Sequence, residues 1–222
     1  MLRAQTYQNF EIIVVDSGSR DDTIERTKKF GATILQIPPE DFSYPYALNY
    51  GIGRSSATTY ICILSAHSIP ISTRWLECGI RDFRAHEKVA GVYGNVRALP
   101  DGTFWDKLFC RNFFPLSWIK RTIVTRPGMG VLGFTNALIR KDLLEKHGIN
   151  EAYGYGGEDG EWATYWMERG YVVVKDPEFT VLHSHYLNFF GWQKQIAHWR
   201  TTRNPRTFER LPFRRDGAHD RE

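Results

Sequence analysis

The stretch Gly154-Tyr155-Gly156-Gly157-Glu158-Asp159-Gly160-Glu161-Trp162 sets adjacent carboxylates inside a run of glycines and aromatics. Glycines let the backbone turn tightly and approach a ligand closely. A carboxylate held at such a turn can act as a general base toward a hydroxyl group. Tyr153, Tyr155 and Trp162 add flat faces of the kind on which sugars and nucleobases stack. The same residues have a structural reading, in which an acidic loop caps the helix that follows and Asp159 lies near its N-terminus. Two neighbouring acids cannot both be strongly desolvated while ionised, so one of the pair is expected to have a raised pKa.

Groups of this kind need a scaffold. Glu11-Ile12-Ile13-Val14-Val15-Asp16 is a continuous apolar run ending at an acid, which predicts a buried parallel strand. Ser17-Gly18-Ser19 follows, then a helical stretch over 21–30 that Asp21 or Asp22 can cap and Gly31 stops. A second strand over 33–37 completes a strand–helix–strand unit, with ligand chemistry expected at the carboxyl end of the first strand. Thr59-Tyr60-Ile61-Cys62-Ile63-Leu64 predicts another buried strand, with Ser65-Ala66-His67-Ser68 at its end. Pro70 and Ser72 lead into a helix carrying Trp75, Leu76, Ile80 and Phe83. Further strands are predicted over 89–96, 171–175 and 180–183, and helices over 141–147 and 161–169. Residues 100–133 read as an irregular, aromatic and basic loop with short helices. The alternation of strands and helices makes the chain α/β. From Tyr186 onward the character changes, and residues 200–222 hold seven arginines against four acids.

Composition narrows the classes. A chain of 222 residues is enough for one domain with a sizeable core. An aromatic content of 14% with seven tryptophans suits a carbohydrate-facing or interface-forming protein, although core packing alone would absorb it. A formal charge of +4 admits an anionic substrate or membrane surface without demanding either. Cys62, Cys78 and Cys110 are odd in number and lack metal-type spacing, so they read as reduced, mostly buried thiols in a cytosolic setting. No apolar run approaches the roughly 18–20 residues needed to span a bilayer, and the opening residues do not read as a signal peptide. The expected location is cytoplasmic, with peripheral attachment to the inner face of a membrane left open. The basic residues carry no recognition motif, so no nucleic-acid partner is expected.

The order of segments resembles glycosyltransferase family 2, whose members have the GT-A fold. The matching stretches begin with Gln5-Thr6-Tyr7, the strand at 11–16 with Ser17-Gly18-Ser19-Arg20-Asp21-Asp22-Thr23, and Ala47-Leu48-Asn49-Tyr50-Gly51. They continue with Leu64-Ser65-Ala66-His67-Ser68-Ile69-Pro70, Trp75-Leu76 and Val89-Ala90-Gly91-Val92-Tyr93-Gly94. Gly133-Phe134-Thr135-Asn136-Ala137, Gly157-Glu158-Asp159 and His183-Ser184-His185 close the series. They span most of residues 5–185, and their flavour is similar to rhamnosyltransferase-like members. The resemblance implies a mixed, mostly parallel sheet flanked by helices over 1–185, with 186–222 a basic aromatic tail. It also implies a preceding strand and Pro-Thr-type turn that this chain lacks, which would leave the strand at 11–16 short of a neighbour and the isolated chain unstable.

The function so implied is transfer of a hexosyl- or deoxyhexosyl-type sugar from a nucleotide-diphosphate donor to a hydroxyl of a glycan or lipid-linked acceptor. The resemblance makes it inverting and places it in surface polysaccharide biosynthesis. It puts Asp159 in the place of the catalytic base, with Glu158 orienting it or binding acceptor hydroxyls. Asp16 and Ser17 would contact the nucleotide, Asn49 the diphosphate, and Ser65 and Asn136 would complete the donor pocket. Asp16 has the alternative of capping its own turn, and Asn49 of bonding a loop backbone. Family members usually carry an acid pair after the strand that matches 60–64. Here His67 stands at the key acid and Ser65 two residues earlier. His183 and His185 alternate about Ser184 and would share a strand face, so the three histidines form a candidate site for a divalent metal, Mn2+ favoured over Mg2+. Without a metal, positive side chains would hold the diphosphate instead. The basic tail is a candidate contact for anionic lipid. The rival class is a non-catalytic sugar- or partner-binding remnant of such an enzyme.

Overall fold

The computed structural model describes residues 1–128, 130–154 and 156–201. Tyr155 and the arginine-rich residues 202–222, both singled out in the sequence, lie outside that set. The centre of the molecule is a six-stranded mixed sheet. Its strands are β3 (Tyr60–Leu64), β4 (Ile69–Pro70), β5 (Val89–Arg97), β6 (Thr122–Val124), β7 (Asn136–Arg140) and β8 (Val172–Leu182). The order is β3-β7-β5-β8-β4, with β6 also pairing β8. β5 runs parallel to β8 and antiparallel to β7, which in turn is antiparallel to β3. Side chains alternate between two cores. Ala137 and Ile139 of β7 join one with α5 (Lys141–Lys146) and α6 (Glu158–Met167), whereas Leu138 joins the other with α3 (Trp75–Ala85). Because both faces are covered, β7 is buried from Asn136 to Ile139.

One glycine decides the register of the central pair. A Cβ on Gly94 would lie 1.4 Å from the Phe179 carbonyl oxygen, so only glycine lets β8 approach there. The β5–β8 register shifts between Gly94 and Val96, and β8 continues through the irregularity as a single strand. The two short strands expected at 171–175 and 180–183 are therefore one. On the outer side, Trp75 of α3 is fully buried and stacks on Phe179 at 4.3 Å.

β1 (Ile13–Asp16) and β2 (Thr33–Gln36), joined by α1 (Thr23–Lys29), form a separate two-stranded parallel sheet. Ile13, Val14 and Val15 are half-buried, so the expectation of a strand covered on both faces holds only in part. Among the described residues β1 pairs only β2 and β3 pairs only β7, and each presents one edge without a strand partner. α2 (Tyr44–Gly53) packs on β1. The Glu11 carboxylate accepts the Ser55 hydroxyl at 3.1 Å and the Ser56 N–H at 2.6 Å, fastening the approach to β1 to the approach to β3.

Residues 100–133 contain α4 (Phe104–Phe109) as well as β6. The segment beyond 186, expected as a tail, forms α7 (Phe189–Thr201), and its Trp192 is 5% exposed. α6 begins at Glu158 rather than 161, because Gly157 with φ 100° turns the chain into the helix and three acids fill its first turn. The cysteines are unpaired, but Cys62 is exposed on β3 instead of buried. No described helix is long and apolar enough to cross a membrane.

Candidate active site

The two acids open α6. Gly154, Gly156 and Gly157 all have positive φ, at 60°, 132° and 100°, so the run ahead of the helix is built on conformations that side chains disfavour. Glu158 is 3% exposed, and burial followed by the neighbouring Asp159 charge pushes its carboxyl up to about 7. Its Oε2 has no hydrogen-bond partner. Asp159 is half-buried, and its Oδ1 accepts the Gly160 N–H at 2.6 Å. The expected division between neighbouring carboxyls is thus present, with Glu158 retaining a proton near neutrality. Behind them, buried His147 and Glu161 meet at 3.0 Å, and Trp162 Nε1 donates to the His147 carbonyl at 2.9 Å. These bonds tie the first turns of α6 to the end of α5. Trp162 is fully buried and serves that packing, so it offers no stacking face to a ligand.

Tyr44 and Tyr93 feel the charge of the acids. Burial pushes the Tyr93 phenol up to about 12, with Asp159 adding to it, and burial together with Glu158 and Asp159 raises Tyr44 as well. Both stay protonated donors at neutral pH. The Tyr44 hydroxyl donates to the Phe134 carbonyl at 2.9 Å, and the Tyr93 ring lies so close to Gly133 that a Cβ there would be 3.1 Å from it.

The imidazoles gather at the carboxyl ends of β3 and β8. β8 closes at Leu182, so His183 and His185 sit just past the strand, where the His183 N–H still donates to the Arg97 carbonyl at 2.7 Å. One ring nitrogen from each of His67, His183 and His185 lies within 4.8 Å of the others. His183 Nε2 is 3.2 Å from His185 Nε2, and the His67 and His183 rings are 4.2 Å apart. Ser68 Oγ contacts His183 Nδ1 at 2.9 Å and so orients that ring, while Ser65 Oγ is 3.3 Å from His67 Nδ1. Burial, then the nearby His67 and His185, pushes His183 down to about 4. Burial and His67 lower His185 too. Both are neutral at neutral pH, with lone pairs available to a cation. Imidazole nitrogen donors suit a transition ion better than Mg2+, which prefers oxygen.

The segment 133–135 borders both groups. Phe134 accepts from Tyr44 on the acid side, and the Thr135 carbonyl accepts the Ser65 N–H at 3.0 Å on the imidazole side.

The remaining expected donor contacts behave differently. Asp16, 6% exposed, accepts the Gly18 N–H at 3.1 Å and the Ser19 N–H at 3.2 Å, with its pKa held down chiefly by the Ser19 side chain. Its carboxylate caps its own turn, with part-exposed Ser17 beside it. Asn49 donates to the Ile149 carbonyl at 2.8 Å and to Glu151 at 2.7 Å, and accepts the Ile149 N–H at 3.3 Å. Asn136 is fully buried and donates to the Phe179 carbonyl at 2.6 Å. Both amides thus bond groups of the fold itself, and the buried Asn136 Oδ1 has no hydrogen-bond partner. Ser68 and Asp106 escaped the sequence reading as site residues. Asp106, fully buried, accepts from Trp192 Nε1 at 2.8 Å and from the Tyr186 N–H at 3.0 Å, and so seats α7 beside His185. The Trp192 and His185 rings are 5.5 Å apart. Thr103 and Asp106 form a capping box, a spacing that was legible in the sequence.

Solved structures share this architecture. A mannosyltransferase from Pyrobaculum calidifontis, solved with GDP-mannose and Mn2+, superposes with a TM-score of 0.59 at 18% identity. The match covers 90% of this chain and 56% of that one, so the chain spans little more than half of its neighbour's length. Glucosyl-3-phosphoglycerate synthase from Mycobacterium tuberculosis, solved with Mn2+, UDP and glucosyl-3-phosphoglycerate, gives 0.55 at 15% identity over 86% of this chain and 66% of its own. At such identities the likeness shows the fold, which is GT-A. No curated protein matches the chain. The model of glycosyl transferase family 2 matches residues 1–148, two thirds of the sequence and most of the strands just described. On that match, the chain belongs to glycosyl transferase family 2.

Proposed function

We propose that the protein transfers a hexosyl- or deoxyhexosyl-type sugar from a nucleotide-diphosphate donor to a hydroxyl of a glycan or lipid-linked acceptor, with inversion, in surface polysaccharide synthesis. The observation that carries the reading is the convergence of His67, His183 and His185 at the carboxyl ends of β3 and β8, where an open α/β sheet binds ligands. Structural neighbours solved with Mn2+ and either GDP-mannose or UDP support it. The three imidazoles would hold a divalent ion, Mn2+ in preference to Mg2+. When bound, the ion supplies charge that neutralises the donor diphosphate as it leaves. Neutral ligands leave that charge undiminished, which a pair of carboxylates would not. Asp159 takes the proton from the acceptor hydroxyl. Glu158, protonated near neutrality, donates a hydrogen bond to an acceptor oxygen without adding a second negative charge. The 133–135 segment, with Tyr44 and Tyr93, spaces the base from the imidazoles. Asp16 and Ser17 border the nucleotide, and Ser65 steers His67.

Calorimetric titration of UDP, GDP and dTDP, with Mn2+, Mg2+ or chelator, tests the reading. One nucleotide should bind, more tightly with Mn2+ than with Mg2+, and His67→Ala should remove the metal response. Binding unaffected by chelator would leave a metal-independent transferase. No nucleotide binding at all, from a folded chain, would leave the non-catalytic binding module.

A further inference from the structure

Large exposed apolar side chains are concentrated on one part of the surface. Phe104 is 60% exposed, Leu108 43%, Phe113 57%, Phe114 55% and Phe190 70%. Phe104 and Leu108 are one helical turn apart on α4, and the Phe104 ring is 5.9 Å from that of Phe113. The chain of rings runs on from Phe104 to Trp105 at 5.3 Å, from Trp105 to Phe189 at 4.8 Å, and from Phe189 to Phe190 at 5.6 Å. Scattered exposed apolar residues are ordinary, but a contiguous aromatic surface marks an interaction site.

Buried polar groups hold these rings outward. Arg97, 6% exposed, donates to the carbonyls of Arg111 and Phe114, the latter at 2.6 Å. Asn112 brackets Ala98, accepting its N–H at 2.9 Å and donating to its carbonyl at 3.0 Å. Arg111 sits at φ 56°, a conformation that costs a non-glycine residue and persists only where its surroundings impose it. On the other flank the Thr103 hydroxyl donates to the Leu187 carbonyl at 2.8 Å, and Asp106 fastens Trp192 and Tyr186. α4, the loop 110–114 and the start of α7 thus form one braced platform against the imidazole cluster.

Its charge is one-sided. Residues 103–126 and 189–201 contain seven lysines and arginines and one acid, the fully buried Asp106. Asp101, at the margin, is engaged by the Tyr186 hydroxyl at 3.1 Å. Arg121 is engaged by Asp82 and Asp176, which leaves Lys107 on α4, exposed Arg111 in the loop that follows, and exposed Lys120 further along the chain. Aromatic side chains interleaved with cations are the composition that partitions into an anionic bilayer interface. Rings enter the headgroup–acyl boundary while lysine and arginine meet lipid phosphates.

We propose that α4, the loop 110–114 and the start of α7 dock the protein onto an anionic lipid bilayer. A second consequence rests on the transferase reading: docking places the imidazole cluster at the membrane surface, where a lipid-linked hydroxyl acceptor is presented. The docking itself does not depend on it. Flotation of the full chain with phosphatidylcholine vesicles, with and without phosphatidylglycerol, tests the surface directly. The protein should float with the anionic vesicles only, and added salt should weaken binding. The triple variant Phe104→Ser, Phe113→Ser, Phe190→Ser should lose about tenfold or more in partition, with its circular dichroism and nucleotide binding kept. Phe30→Ser at the C-cap of α1, which removes an equally exposed ring elsewhere, should change nothing. Failure of the parent to float, or undiminished flotation of the triple variant, would overturn the proposal. A triple variant that instead changed the oligomeric state without vesicles would assign the surface to a second copy of the chain.

Discussion

At the scale of residues, the head of α6 makes two opposite demands on neighbouring carboxyls. Asp159→Asn keeps the shape of the side chain but removes its ability to accept a proton. Transfer should fall by about 10²–10⁴-fold while donor binding is retained, as measured by nucleotide release beside calorimetry. A parental rate would show that Asp159 is not the base. Glu158 is predicted to reveal itself through stability. Its carboxyl rises from 4.5 to about 7 on folding, so the folded state binds the proton more tightly than the unfolded chain. The stability it contributes is full below about 4.5 and is lost as pH rises through about 7. Glu158→Gln should flatten that decline, melting above the parent at about pH 8 and close to it at about pH 5. Parallel melting profiles for parent and variant would place the proton elsewhere.

At the scale of elements, α7 tests where the domain stops. Its ordered part was expected to be a tail, yet Trp192 is buried, stacks on Phe109 at 5.0 Å and donates to Asp106. Trp192→Ala should cost about 3–5 kcal/mol in urea denaturation, the range for removing a buried aromatic. It also leaves a buried carboxylate without one of its donors. A tail packed on nothing would lose nothing. The reason α7 escaped the sequence is that its aromatic residues follow no single apolar stripe. Trp192 faces Asp106 while Phe190 faces solvent. β7 escaped for a related reason. Asn-Ala-Leu-Ile is short and covered on both faces, so it shows no alternation to read.

At the scale of the whole molecule, β1 and β3 each present one edge without a strand partner among the described residues, and such edges recruit other chains. The protein should associate as its concentration rises, read by light scattering. Cys62→Lys, which places a charge on the exposed face of β3, should suppress the association without lowering the melting temperature. Unchanged scattering in that variant would show that β3 is not the associating edge. The sequence by itself determined the α/β class, the order of most strands and helices, the adjacency of Glu158 and Asp159, and the choice of His67, His183 and His185 as candidate ligands. Those properties follow from local patterns: apolar runs, glycine turns, and acids or imidazoles at the ends of strands. Only the tertiary structure decided which polar groups remain for a ligand. Asn49 is satisfied by Ile149, 100 residues away, and the Asn136 Nδ2 donates to Phe179, 43 residues away, while its buried Oδ1 keeps no hydrogen-bond partner. A buried amide must find its partners wherever the fold puts them, and no local pattern records a partner that distant. The imidazoles came together for the complementary reason. β3 and β8 end on the same side of the sheet, and the rings that project there have one another and Ser68 as neighbours.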